Sequence, residues 1–159
     1  MPKTVNPLKV NLPLAEASTI VDAALKAARA NELEPLTVVV LDAGGHEIAL
    51  KREDGSGIIR VEIARAKAYG ALGMGLSSRA IGERLNQRPV FAGSLTVISG
   101  GQLATAAGGV LIKDSAGDVI GAVGISGDTS EKDEFAAIVG INAAGLSADP
   151  AEPDPSWRG

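Results

Sequence analysis

Apolar residues recur at helical spacing at Leu14, Ala17, Val21, Ala24, Leu25 and Ala28, with Glu16, Asp22, Lys26 and Arg29 largely on other faces. Pro13 suits the first turn of this helix, and Pro35 forbids its continuation much past Asn31. The β-branched run Leu36-Thr37-Val38-Val39-Val40-Leu41 is too short for a helix and predicts a buried strand. Asp42-Ala43-Gly44-Gly45 reads as a tight turn, and His46 to Lys51 alternates, so a β-hairpin follows. A second helix is predicted from about Ile58 to Met74, with Ile59, Ile63, Ala66, Gly70 and Gly73 on one stripe. Gly70 and Gly73 each weaken a helix by ~1 kcal/mol against Ala, which points to close approach of another backbone. Ser77 or Ser78 caps a short third helix through Ile81 and Leu85. The glycine-rich segment from Gln87 to Gly109 is weakly patterned, with one strand expected at Leu95 to Ile98.

Val110 to Lys113 and Val119 to Ile125 flank an acidic, Gly-containing turn and predict a second hairpin. A last helix carries Phe135, Ile138, Val139 and Asn142 at helical spacing, with caps supplied by Asp128-Thr129-Ser130. The order is α-β-β-α-α-(β)-β-β-α, which implies an α+β fold: an antiparallel sheet covered by helices. Residues 1–148 read as a single domain. From Asp149 to Trp157 a proline stands every two or three residues, so 149–159 is expected to be an extended tail. Its terminal Trp157 suits either a disordered end or an arm that docks on a neighbouring subunit.

The chain has 159 residues, enough for one self-sufficient core. Aromatics are only 3% of it, so Ala, Val, Ile and Leu must build that core. Few stacking rings and a net charge of −4 argue against nucleic acid as a partner. With no Cys and a single His, thiolate sites, cysteine nucleophiles and multi-histidine metal cages are excluded, and no metal site is expected. Neither an apolar leader after Met1-Pro2-Lys3-Thr4 nor a membrane-length apolar run is visible, so a cytoplasmic protein without a membrane partner is expected.

Five ordered blocks carry a resemblance. They are Val39-Val40-Leu41-Asp42-Ala43-Gly44-Gly45, Arg52-Glu53-Asp54-Gly55, Ala64-Arg65-Ala66-Lys67-Ala68, Gly108-Gly109-Val110 and Gly121-Ala122-Val123-Gly124-Ile125-Ser126-Gly127, the last followed by Glu131-Lys132-Asp133-Glu134. The pattern resembles the GlcG/HbpS-like family of haem-binding and catabolic accessory proteins. The resemblance implies a profilin-like α+β subunit that assembles into dimers or larger homo-oligomers, with haem as a possible cofactor. It also implies a choice of roles, since such families fix architecture better than activity. One departure concerns the rim: the family's glycine pair is commonly followed by a Val-Pro step, and here Leu111 holds the proline position.

Arg60 and Lys67 are two helical turns apart, and Arg52 lies just upstream, so three cations are expected to converge. Cations so placed hold carboxylates, whether haem propionates or a small organic acid; the alternative is a solvated face paired with Glu53 and Glu62. His46 opens a strand after the Gly-Gly turn. It is a candidate haem axial ligand or proton-transfer group, or else an exposed turn residue. Tyr69 and Met74 are further iron-ligand candidates within a packing helix. Asp128, Glu131, Asp133 and Glu134 crowd a helix start and read as capping acids, with Asp128 and Glu131 forming a capping box. Gly121, Gly124 and Gly127 lack the Lys of a phosphate loop and read as sites of tight strand packing. Phe91, with Val90 and Leu95, is either an apolar pocket wall or a core plug.

Three functions compete. The first is a binder of a small carboxylate-bearing ligand, haem or a related tetrapyrrole, held by Arg52, Arg60, Lys67, Phe91 and His46. The second is a cofactor-independent isomerase, tautomerase or lyase in which Lys67 or Arg52 orients a substrate carboxylate and His46 or Asp42 moves a proton. The third is a non-catalytic oligomeric scaffold.

Overall fold

The β-branched run becomes β1 (Thr37–Asp42), and the Gly44-Gly45 turn returns it as β2 (Glu47–Arg52). The computed structural model describes residues 1–2 and 4–159; of the opening stretch read for a leader, Lys3 lies outside the described residues. The remaining elements are α1 (Leu14–Ala30), α2 (Arg60–Met74), α3 (Ser78–Leu85), α4 (Pro89–Ile98), β3 (Gly109–Lys113), β4 (Val119–Ser126), α5 (Ser130–Ala143), β5 (Ser147–Asp149) and a 3-10 turn at Pro155–Arg158. The strands form one antiparallel sheet in the order β2-β1-β4-β3-β5. This is the expected α+β fold.

Strand alternation sends Val38, Val40, Val110, Ile112, Val123 and Ile125 to one face, where α1 and α5 cover them. Val39, Leu41, Leu111 and Ala122 face the other way, against Ala64, Ala68 and Ala71 of α2. With so few large side chains the layers close almost backbone to backbone. A Cβ built on Gly124 would lie 1.8 Å from the Ala64 carbonyl oxygen, so only glycine admits α2 at this depth.

Four expectations are corrected. Leu95 to Ile98 is not a strand but the end of α4, which Pro89 opens; Ser94 and Thr96 donate back to the Val90 and Ala92 carbonyls, as helical hydroxyls do. The buried face of α2 runs through Ala64, Lys67, Ala68 and Ala71 rather than Ile59 and Ile63; Gly70 meets the Leu103 backbone, whereas Gly73 meets nothing within 4 Å. At the start of α5, Thr129 of the expected cap set is the cap, its hydroxyl accepting from the Lys132 amide, in place of a capping box between Asp128 and Glu131, and Asp133 and Glu134 are buried side chains rather than capping acids. The C-terminal segment is not extended throughout: Pro155–Arg158 forms a 3-10 turn, and Trp157 stacks on Phe135 of its own chain, ring centroids 3.6 Å apart.

Candidate functional site

Register brings three polar residues together at one end of the sheet. Thr37, at the start of β1, lies opposite Arg52 on β2 and opposite Ser126 on β4. Residues so paired share a face, here the face that carries α2. The Thr37 hydroxyl meets the Ser56 hydroxyl at 2.9 Å, and Arg52 Nη1 donates to the Ser56 carbonyl at 3.1 Å. From the first turn of α2, Arg60 Nη1 donates to Ser126 Oγ at 3.1 Å. Neutral oxygens thus aim both guanidinium groups. Among the described residues neither is paired with a carboxylate.

Lys67 lies inside this end of the molecule. Its Nζ donates to the Ile125 carbonyl at 2.8 Å and to Asp133 Oδ2 at 3.0 Å, and the side chains of the pair are only 3% and 1% exposed. Burial pulls the Lys67 ammonium below its ordinary range against the attraction of Asp133, and the charge of Arg60 adds to the pull. Burial likewise pushes the Asp133 carboxyl up, against the pull of Lys67 and of the Asp128 amide that donates to it. Gly108 makes the room: a Cβ there would stand 2.9 Å from Lys67 Nζ. Of the three cations read as convergent, Arg52 and Arg60 therefore form the rim, and Lys67 stands behind it with its charge already met.

Asp42 and His46 occupy the opposite end of β1, about 17 Å away at strand rise. Asp42 Oδ1 accepts from the amides of Gly44 and His46 and so organises the turn. The His46 ring is 82% exposed, with Nδ1 3.4 Å from Asp42 Oδ1, which leaves Nε2 free. Tyr69 lies against Gly45, and a shallow cavity of about 160 Å3 opens between Gly45, Tyr69 and Leu72.

Helix α2 covers β4, β1 and β3 and leaves β2 uncovered. Leu50, in register with Val39, is 37% exposed on this open side. Arg65 of α2 reaches across to pair with Glu47. One hollow, of about 430 Å3, lies on the α1 side under Leu8, Val10 and Leu12, away from both arginines, and another, of about 550 Å3, lies beside Arg52 and is lined by Leu25, Arg29, Pro35, Lys51 and Glu53. Phe91 is on α4, which packs chiefly on α3; Arg88 lies 4.3 Å over its ring.

Sequence reasoning passed over Ser56, Ser126 and the partner role of Asp133. A usable signal existed for Asp133, because it shares a helical face with Ala136, Ala137 and Gly140, all buried. The serines carried none before strand register was known.

A family model described as haem degrading protein HbpS-like matches residues 12–142. The chain belongs to the HbpS-like family. Among solved structures it is similar to a PduOC–haem complex, at 26% identity and a TM-score of 0.76 over 87% of this chain and 98% of that one. It also shares its fold with Klebsiella pneumoniae protein ORFY (23% identity, TM-score 0.76, 91% of this chain and 97% of that one). HbpS itself matches at 24% identity with a TM-score of 0.72, over 89% of this chain and 96% of that one. No curated protein sequence matches. For this HbpS-like chain, no helix among the described residues is long and apolar enough to cross a membrane.

Proposed function

We propose that this HbpS-like protein binds a flat, largely apolar ligand bearing carboxylates, of the haem type, against the open face of β2 beside α2. The observation that carries the reading is the pair Arg52 and Arg60, aimed by neutral oxygens, without carboxylate partners among the described residues, beside exposed Leu50. Two guanidinium groups in that state are ready to grip carboxylates through charge-assisted hydrogen bonds. The residues suit such a group. Arg52 and Arg60 would hold its carboxylates, Leu50 and Tyr69 would face its ring, and His46 offers Nε2 to a metal. Bound iron would supply redox chemistry; the chain's own part is to orient the ligand and shield one of its faces. The haem complex formed by the similar PduOC structure supports this choice of ligand. A role in catabolism would follow from which ligand is taken.

Haem titration of the whole chain tests the reading. A saturable Soret band is expected, weakened about 10- to 100-fold in affinity in R52A/R60A because two charged hydrogen bonds are lost. The band should move in H46A. A non-saturable spectrum, or equal affinity in the double variant, would overturn the reading.

We also infer that copies of the chain associate through α4. No residue of this helix is buried within the chain, it carries no charge, and Val90, Val97 and Ile98 are each more than three-quarters exposed. A ten-residue helix is marginal on its own in water, so a covering surface is required. The assembly implied by the family resemblance makes a second copy that surface.

A further inference from the structure

The last ten residues lie beyond the segment matched by the family model and are built against α3 and α5 at a few points only. Arg79 Nη2 donates to the Glu152 carbonyl at 3.2 Å, and Arg79 Nη1 stands 3.9 Å from Asp154 Oδ2. The Asp154 amide donates to Glu134 Oε1 at 3.0 Å. Asp154 Oδ1 then caps the 3-10 turn by accepting from the Ser156 amide, which sets Trp157 flat on Phe135 with an interplanar angle of 6°. Beneath these contacts lies a cavity of about 310 Å3, lined by Arg79, Glu83, Thr105, Ser130, Glu131 and Asp154. Asp154 is the tail's contribution to its wall.

We propose that residues 150–159 are a reversible strap across α3 and α5 at the edge of this open hollow, with Trp157 on Phe135 as its latch. Two features make it reversible. Most of its residues remain exposed, and it forms no strand pairing beyond Asp149, so it belongs to the weakly held part of the fold. It also holds Glu134 by a single amide, since the charge partner of that carboxylate, Arg79 Nε at 3.1 Å from Oε2, comes from α3.

The groups facing Glu134 are Arg79 from α3, Asp154 from the strap and Glu131 from α5. Burial pushes the Glu134 carboxyl above its ordinary range, against the Asp154 amide and Arg79; Asp154 and Glu131 push it further. The hydrogen bonds from Ser156 and the charge of Arg79 hold Asp154 below its ordinary range, so it stays ionised.

Trp157 is the only tryptophan of the chain, so acrylamide quenching of the full-length protein reports the strap directly. Low quenching is expected in the native chain. R79A and F135L should raise it by about threefold or more while circular dichroism stays native, as for a segment freed from a local contact. If R79A fails to fold, F135L alone decides. Quenching equal to that of free N-acetyltryptophanamide in the native chain would show that the strap does not close. Low quenching unmoved by F135L would show a fixed piece of the fold; either result overturns the proposal.

Discussion

Lys67 shows what a single buried charge costs and how it is tolerated. Its ammonium has left water for a pocket where Asp133 and the Ile125 carbonyl are its acceptors, and Gly108 leaves the space for it. Buried pairs of this kind contribute little net stability, yet removing one partner strands the other in a dry interior. K67M should therefore lower the unfolding free energy by about 3–5 kcal/mol. K67M/D133N should recover most of that loss, since the carboxamide introduced by D133N carries no charge and its oxygen can still accept from the Asp128 amide. Urea unfolding of the single and double variants measures both. A double variant as unstable as the single one would mean that the lysine stem, rather than the charge, holds this site. The same geometry bears on function: a ligand carboxylate could reach Lys67 only by displacing Asp133, whereas Arg52 and Arg60 need no such exchange.

At the scale of elements, legibility tracked whether a segment meets its neighbours through a repeating face. The Val38-Val39-Val40 run and the Gly-containing turns announced both hairpins because strand alternation and turn chemistry are local properties. Helix α4 was not legible: Val, Phe, Thr and Ile favour strands, and a helix with no buried face carries no helical periodicity to read. The Lys67–Asp133 pair joins residues 66 apart, so composition showed acids at a helix start but not their depth. The tail failed for the same reason, since proline spacing is local and the Trp157–Phe135 stack is not. The rim was half legible: the arginines stood out as cations expected to converge, but the serines that aim them emerged only from strand register. The unburied face of α4 yields its own test. V97E places a charge on a side chain that is 80% exposed in the single chain, so it should leave the fold intact while separating associated copies. Light scattering should show a larger species for the native chain and a single-chain mass for V97E. A native chain that already scatters as a monomer would refute association through α4.

For the whole molecule, acidification acts on two sets of carboxylates with opposite signs. Burial raises Asp133 and Glu134, so the folded state takes up their protons more readily than the unfolded chain does, and their contribution improves as pH falls from neutral. Asp128 runs the other way. Its partial burial pushes it up, but the amides of Glu34 and Thr129 donate to it, both at 2.7 Å, and with Lys132 they hold the carboxyl below 3.8. Its contribution is present above that ordinary value and is lost as pH falls through the lower folded one. The contact matters globally because it ties the segment before β1 to the loop that starts α5, closing the end of the sheet where Thr37, Arg60 and Lys67 meet. D128N keeps one acceptor but removes the charge, and should cost about 1 kcal/mol at pH 7, the scale of a hydrogen bond to a partly solvated ion. The gap between D128N and the native chain should narrow as pH drops below the ordinary carboxylate range, because the native chain then loses the same charge. Urea midpoints of both proteins measured from neutral pH down to about pH 3 span the ordinary carboxylate range. A gap that stays constant across that series would show that Asp128 acts by shape alone and that its ionisation does not help to hold the two halves of the rim together.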